Sequence, residues 1–290
     1  MFVIIGIVVV IGSVLGGFVM HHGQLAVLVQ VNEFIIIGGA AIGSMLVGAP
    51  MRILKHLGAN VTLLFKGDPY TKEEFLNLLK TMFELFHIAT KDGLMNIEQH
   101  IEKPESSAIF SKNTFLMHHH HALPYLADTL KLLLSGGVPA HDLESLLDAD
   151  MDSLHAEGAQ APGLLNKTSD SLPGLGIVAA VLGIIITMQA INGPPEEIGM
   201  KVAAALVGTF IGILMCYGFL GPMASHIEII HQSEARYMEC IKVGIISYAK
   251  GNAPAMVVEF SRRVIFSDFR PTFAELEQAI KDIKSSSAAK

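Results

Sequence analysis

Residues 202–225 read VAAALVGTFIGILMCYGFLGPMAS and decide the class of fold. The stretch contains no Asp, Glu, Lys or Arg. A helix of about 20 apolar residues is long enough to cross the hydrocarbon core of a bilayer. Because that core offers no water to backbone groups, a spanning segment must pair its own N–H and C=O groups as a helix. The stretch therefore predicts a transmembrane helix.

Three more windows share this lack of charge, namely 2–20, 34–51 and 171–195. The first has no Lys or Arg before its apolar run and no A-x-A-like cleavage site, so we interpret it as a retained span and not as a signal peptide. Four spans in two hairpins are thus predicted.

The composition agrees with a membrane protein that has a sizeable soluble part. Of the 290 residues, 51% are hydrophobic and 16% are charged, against about 25% charged in an average soluble domain. A formal charge of −7 gives no support for nucleic-acid binding. Two cysteines are too few for a disulfide framework, which argues against a small secreted scaffold.

The positions of Lys and Arg predict the orientation of the chain. Residues 21–33 contain neither, and residues 196–201 contain only Lys201. By the positive-inside rule, both termini and the middle segment should be cytoplasmic. The predicted order is span 1 (1–21), a short periplasmic turn (22–33), span 2 (34–51), a cytoplasmic helical domain (52–170), span 3 (171–195), a second short periplasmic turn (196–201), span 4 (202–225), and cytoplasmic C-terminal helices with a tail (226–290).

The soluble segments also have helical patterns. Thr71 with Glu74, and Thr272 with Glu275, match the capping box that opens a helix. Residues 158–170 are rich in Gly, Ala, Pro and Ser and are interpreted as a linker, and 285–290 as a disordered tail. No alternating strand pattern of useful length occurs, so the predicted fold is all-α. Helices are expected near 71–92, 94–103, 125–134, 139–154, 227–248 and 272–283.

Small residues and prolines within the spans predict packing and bending. Gly208 and Gly212 have the spacing that lets helix backbones approach closely in lipid, either within one subunit or between subunits. Pro173 should lie in the first turn of span 3, where a proline costs little. Pro222 interrupts a helix that continues into 227–248, which predicts a kink.

The four uncharged windows also limit what the chain can do alone. Proton relays and ion sites in membranes are normally marked by ionisable side chains. Because these windows contain no carboxylate, another polypeptide should supply the titrating group of any ion path.

Three motifs resemble those of the flagellar motor stator A subunit, motility protein A, over nearly the whole chain. The segment DSLPGLGIVAAV at 170–181 resembles the third span of that family. The segment VGTFIGIL at 207–214, followed by Tyr217-Gly218 and Pro222, resembles the fourth. Val258-Glu259-Phe260 with Arg262, Arg270-Pro271 and Glu275-Leu276-Glu277 resemble its C-terminal region.

The resemblance implies a function and partners. Five A subunits of this family surround two single-span B subunits, and an Asp on the B helix carries the ion whose flow drives the rotor. By resemblance, Thr209 lines the ion path, and Pro173 and Pro222 couple ion passage to movement of the cytoplasmic part. Sodium-driven members have a Thr where this chain has Ala180, so the resemblance implies H⁺ as the coupling ion. It implies no cofactor and a multi-pass location in the bacterial inner membrane.

The resemblance also implies charged contacts between the cytoplasmic domain and the rotor switch complex. Glu98 and Asp150 occupy the acidic positions, whereas the family's Arg falls on Thr90, and Lys91 is the nearest base. An ordinary solvated helix face is the alternative for each of these charges. The run His118 to His121 has no family counterpart; we interpret it as a solvated patch spread around a helix and not as a metal site.

Three alternatives remain open on sequence alone. A related proton-driven energiser of envelope transport shares the last two spans but has three spans in total. A membrane scaffold would conduct no ions with any partner and would tolerate substitution of Thr209. An enzyme is least expected, because the sequence has no P-loop, HExxH or GxSxG motif.

Overall fold

The computed structural model of the protein describes residues 2–136, 138–189 and 191–288. Within these ranges the chain is all-helical and has no β-strand, which confirms the predicted fold class. Four helical regions are long and apolar enough to cross a membrane. The chain divides into two compact units, one formed by residues up to Asp68 with Glu157–Ile229, the other by Pro69–Ala156 with the residues from Ile230 onward.

The first unit contains the apolar helices. None of the residues of its first helix is buried within the chain, so that helix presents apolar side chains all round. A helix that is apolar on every side suits a hydrocarbon surround. Its helices are α1 (Phe2–Met20), α2 (Leu25–Leu28), α3 (Val31–Gly48), α4 (Met51–Lys66), α10 (Gln160–Gln189), α11 (Pro195–Met215) and the start of α12 (Gly221–Ala249).

The second unit is a helical domain with its own core. Phe75, Phe83 and Phe86 are fully buried there, and Tyr237 is buried with them. Its helices are α5 (Lys72–Lys91), α6 (Glu98–Glu102), α7 (Thr114–Met117), α8 (Ala122–Ser135), most of α9 (Ala140–Gly158), the rest of α12, α13 (Pro254–Arg263) and α14 (Phe273–Ala288).

The helix that contains most of the predicted second span, 34–51, has different bounds. Helix α3 begins at Val31, so Glu33 belongs to the helix, and α3 ends at Gly48. Ala49 is extended, with φ −146° and ψ 142°, because the ring of Pro50 disfavours helical geometry in the residue before it. Pro50 then precedes α4.

The helix that contains the predicted third span starts before residue 171. Helix α10 begins at Gln160, so the predicted linker at 158–170 is wrong over most of its length. Leu165 and Ser169 are buried, and tertiary packing of this kind overrides the low helix propensity of Gly, Ser and Pro. Pro173 accordingly lies inside α10 and not in a first turn.

The helix that contains the predicted fourth span begins before residue 202 and includes an irregular turn. Residues 196–201, predicted as a turn, form the start of α11, since Pro195 is its first residue. The segment Cys216–Leu220 is a π-helix, after which α12 continues through Pro222. The predicted continuity of the helix into 227–248 therefore holds, with one π-turn inserted.

Local signals in the second unit match several predicted helices. Thr71 Oγ1 accepts the Glu74 N–H at the start of α5, and Thr272 and Glu275 form a reciprocal capping box at the start of α14. Helix α13 is absent from the sequence prediction. Helix α14 continues to Ala288, so 285–288 are helical and not disordered, and 289–290 lie outside the described residues.

Candidate ion path and hinge

A seam of small residues joins α10 and α11 in antiparallel contact. A methyl group added at Gly212 would lie 2.5 Å from the carbonyl oxygen of Leu172, and one added at Gly176 would lie 2.8 Å from that of Gly208. Further along, a methyl group at Gly183 would lie 2.6 Å from Cβ of Ala205. The two backbones can approach this closely only because these positions carry little or no side chain.

Gly208 and Gly212 therefore serve packing within the chain. Helix α10 occupies the space beside Gly212, and Ala179 together with Glu33 occupies the space beside Gly208. This answers the question that the sequence left open for this pair. By contrast, added methyl groups at Gly12, Gly16, Gly39 and Gly43 meet nothing within 4 Å.

Thr209 and Ala180 lie at a similar depth on this seam. A methyl group at Gly176 would lie 3.1 Å from Cα of Thr209, and Ala180 is one helical turn beyond Gly176 on α10. Ala180 is 8% exposed and Thr209 is half-buried.

The hydroxyl of Thr209 differs from other hydroxyls in these helices. Thr168 and Thr187 each donate to the carbonyl four residues earlier, at 2.9 and 2.8 Å. Within the described ranges no such bond is found for Thr209 Oγ1, so it can serve another group. The alternative in which Thr209 bonds back to its own helix does not occur in this structure.

Both prolines of the predicted coupling region remove a helix hydrogen bond in the first unit, at neighbouring levels of the two helices. Pro173 cannot donate to the carbonyl of Ser169, and Pro222 cannot donate to that of Gly218, because proline has no N–H. Gly218 lies inside the π-segment Cys216–Leu220. Both α10 and the α11–α12 helix therefore lack a backbone hydrogen bond close to the π-segment Cys216–Leu220.

Ser169 links the two irregular places. Its hydroxyl donates to the carbonyl oxygen of Cys216 at 3.1 Å, and the Gly221 N–H bonds the same oxygen across the π-turn. Ser169 is 1% exposed, so the hydrogen bond is buried. Pro222 itself is exposed and Pro173 half-buried. The sequence analysis missed Ser169, for which no pattern gave a signal.

The three predicted rotor-contact residues all lie in the second unit. Lys91 ends α5, Glu98 begins α6, and Asp150 lies on α9. Lys91 and Asp150 are exposed and Glu98 is half-buried. In the described part of the chain no ion pair is found for any of them, whereas Glu144 and Asp148 of α9 pair with Lys250 and Lys242 at 2.8 and 2.7 Å.

The histidine run is not the helical surface patch that the sequence suggested. It connects α7 to α8, and His119 is largely buried. His119 Nδ1 accepts the N–H of Ala122 at 3.1 Å, so the neutral ring carries its proton on Nε2, which lies 2.7 Å from Tyr70 Oη. Among the residues that the structure describes, no set of three His, Cys, Asp or Glu side chains is arranged to hold a metal ion.

Glu33 is the second residue that the sequence analysis missed. Its carboxyl group lies in α3 against Gly208 of α11. The uncharged window 34–51 contains no carboxylate, but helix α3 begins three residues before that window and so includes Glu33. A sequence signal did exist, since Glu33 directly precedes that window.

Comparison with known proteins identifies the family. The motility protein A N-terminal model matches residues 4–93, and the MotA/TolQ/ExbB proton channel family model matches residues 118–240. Motility protein A of Salmonella typhimurium is 35% identical over 285 residues, covering 98% of this chain and 97% of that protein. Chemotaxis protein LafT of Vibrio parahaemolyticus is 35% identical, with 94% and 96% coverage.

Solved structures share the fold. MotAB of C. jejuni matches with a TM-score of 0.76 at 18% identity, covering 92% of this chain and 96% of that chain. The flagellar MotAB stator complex of Bacillus subtilis matches with a TM-score of 0.73 at 22% identity, covering 95% and 98%. With its four apolar helices and its 35% identity to a motility protein A over 98% of its length, the chain belongs to the motility protein A family, the stator A subunits of the flagellar motor.

Proposed function

We propose that this stator subunit conducts H⁺ along a path that Thr209 lines, together with a single-span B subunit whose intramembrane Asp carries the ion. The hydroxyl of Thr209 carries this proposal, because it is half-buried on the seam and no bond to another described residue occupies it. Both termini and the second unit would be cytoplasmic.

The preference for H⁺ rests on the small number of oxygen ligands at this level. Na⁺ must replace its shed water with several close oxygens, whereas a proton needs a chain of water and a titrating group. Ala180 has a methyl group where a hydroxyl would add a ligand. Only the hydroxyl of Thr209 is then contributed by this pair of positions.

The coupling ion can be tested by swimming. Cells that carry this subunit and its own B subunit are tracked while external Na⁺ is varied at fixed pH, and a protonophore is then added. We expect speed to ignore Na⁺ and to be abolished by the protonophore. Speed that follows Na⁺ and survives the protonophore would overturn the assignment of H⁺.

The role of Thr209 is separable from a plain scaffold role. Thr209→Val keeps the shape of the side chain and removes the hydroxyl, so proton flux through the A–B complex should fall. Thr187→Val is the matched control, because that hydroxyl is already bonded to Gly183 of its own helix. Equal flux in both variants would favour a non-conducting scaffold role for this seam.

We further propose that five copies surround two B subunits, and that contacts between copies use faces other than Gly208 and Gly212. The space beside those two glycines is already occupied by α10 and Glu33 of the same chain. The open small-residue faces of α1 and α3 remain available to other chains. Native mass spectrometry of the A–B complex in mild detergent should give the five-to-two ratio; a stable A monomer or dimer would contradict it.

A further inference from the structure

Glu33 is a buried carboxyl group within an apolar helix. Its side chain is on α3, and the residue is 7% exposed. Within the described ranges, its Oε2 atom is buried and has no hydrogen-bond partner. An ionised carboxylate is costly to bury without a partner, and ionisable side chains inside membranes commonly mark ion pathways.

The structure places this carboxyl group at the proposed ion path. A methyl group on Gly208 would collide with Glu33 Oε2 and would lie 3.2 Å from Glu33 Cδ. The next residue of α11 is Thr209, only about 1.5 Å further along the helix axis. The absence of a side chain at Gly208 therefore creates the space that the carboxyl group occupies against α11, one residue before Thr209.

Within the described part of the chain no ion pair is found for Glu33. The facing parts of α10 and α11, residues 171–189 and 202–215, contain no titratable Asp, Glu, His, Lys or Arg, and neither does α2. Lys201 lies seven residues before Gly208, about 10 Å along the axis, and pairs with Glu197 at 2.9 Å. The basic residues of α4, from Arg52 onward, follow the opposite end of α3.

We propose that Glu33 is a proton-binding site contributed by this chain, which loads protons from the outer side before they reach the carboxylate of the B subunit. Oε2 takes a proton from hydronium on the outer side, which becomes water. The new O–H bond then breaks as the proton passes to a water molecule on the inner side, which becomes hydronium, and the carboxylate is restored. The proposal rests on the H⁺ path and orientation proposed above.

The test uses the complete A–B complex in proteoliposomes at a fixed membrane potential, with proton flux read by a trapped pH dye. Without a loading carboxyl group, proton delivery follows the proton concentration at every pH, whereas native flux stays level as long as Glu33 remains protonated. Over that range of pH, flux in Glu33→Gln should fall about tenfold per unit of pH relative to the native complex. Glu33→Asp should keep part of the flux at alkaline pH. Gly208→Ala should resemble Glu33→Gln, because the added methyl group displaces the carboxyl group.

Glu196→Gln is the matched control, since it removes an exposed carboxylate at the start of α11 and should leave the pH profile unchanged. Flux in Glu33→Gln that equals the native flux at every pH would overturn the proposal. So would a loss that is the same at every pH, which would indicate a structural role.

A second readout keeps this test separate from the choice of coupling ion. Infrared difference spectra of the native complex between acid and alkaline pH should contain a carboxyl C=O band that Glu33→Gln removes and Glu196→Gln does not. If the native complex conducts no protons but this band is present, the H⁺ path fails while Glu33 still binds a proton. Absence of the band means that Glu33 does not exchange a proton.

Discussion

At the scale of single residues, the membrane part depends on side chains that are missing as much as on those present. Gly212 has backbone neighbours where a methyl group would sit, and Gly208 has a carboxyl group there. Backbone atoms cannot rotate away as flexible side chains can, so the two positions tolerate substitution differently. In the second unit a side chain that is present has a similar local role: the ring of His119 contacts Tyr70 Oη and accepts the N–H groups of His121 and Ala122.

Gly212→Ala should destabilise the packing of α10 on α11. The added methyl group would lie 2.5 Å from Leu172 O and 3.1 Å from Cα of Gly176, both of them backbone atoms. We expect a loss of about 1–3 kcal/mol, measured by thermal unfolding in detergent. Gly199→Ala in the same helix meets nothing within 4 Å and should be neutral or stabilising. Equal stability of the two variants would contradict this account of the seam.

The second unit should lose stability as the pH falls below about 6.5. Burial lowers the pKa of His119 from its ordinary value of 6.5, the charge of Glu234 opposes this shift, and the charges of His121 and His120 add to it. A histidine with a lowered pKa binds fewer protons folded than unfolded, so its stability contribution is full above the unfolded pKa and is lost below it.

The melting temperature of this unit in the full chain, followed from neutral to mildly acidic pH, measures that loss. His119→Gln should flatten the pH dependence, whereas His118→Gln, which removes an exposed ring, should not. His100, whose pKa burial also lowers, will leave a residual slope. An unchanged slope in His119→Gln would show that His119 is not the responsible group.

At the scale of elements, the π-segment Cys216–Leu220 combines a break with a restraint. The two prolines remove helix hydrogen bonds at neighbouring levels of α10 and of the α11–α12 helix. The hydroxyl of Ser169 then donates to the Cys216 carbonyl, which also accepts the Gly221 N–H, and so joins α10 to the π-segment. A helix with such a break and one cross-helix bond can bend there without separating from its neighbour, and π-bulges are frequent at functional sites.

Ser169→Ala should loosen this hinge. The Cys216 carbonyl would lose one of its two donors and keep the Gly221 N–H, at a cost of about 0.5–1.5 kcal/mol for the lost hydrogen bond. Amide hydrogen exchange of 212–222 in the assembled complex should therefore accelerate. Ser171→Ala is the control, because that hydroxyl bonds back to Thr168 of its own helix at 2.7 Å. Equal exchange in both variants would mean that the cross-helix bond does not restrain the π-segment.

At the scale of the whole molecule, the proposed ion path lies in the first unit, whereas the residues predicted to contact the rotor lie in the second. Two acids of α9 are tied by ion pairs, Glu144 to Lys250 and Asp148 to Lys242, and Asp142 lies 3.2 Å from the neighbouring His141. Asp150 and the half-buried Glu98 are without such pairs in the described ranges, as is Lys91. Unpaired charges on a surface are the ones free to meet opposite charges of a partner.

Reversal of both acids, Glu98→Lys with Asp150→Lys, should impair torque while membrane insertion and oligomer size stay intact. The resemblance implies that these acids meet opposite charges of the rotor, so their reversal would replace attraction by repulsion. Rotation of tethered cells measures torque, and Glu157→Lys, an exposed acid at the end of α9, is the control. Normal rotation in the double variant would show that these acids only solvate the surface.

The sequence alone determined the class of the protein. Runs without charge must be helical in lipid, so four spans and an all-α fold follow from composition along the chain. Capping boxes at Thr71 and Thr272 place helix starts, because their hydrogen bonds reach only three residues. The motifs of the last two spans indicated the family, and the 35% identity to a relative over 98% of the chain confirmed it.

Only the tertiary structure decided where those helices meet. The seat of Glu33 on Gly208 joins positions 175 residues apart, and the bond from Ser169 to Cys216 joins positions 47 apart. No local pattern encodes such pairs, because they arise when two backbones approach closely. For the same reason the helical state of 160–170 escaped prediction: its propensity is weak, and packing of Leu165 and Ser169 stabilises it.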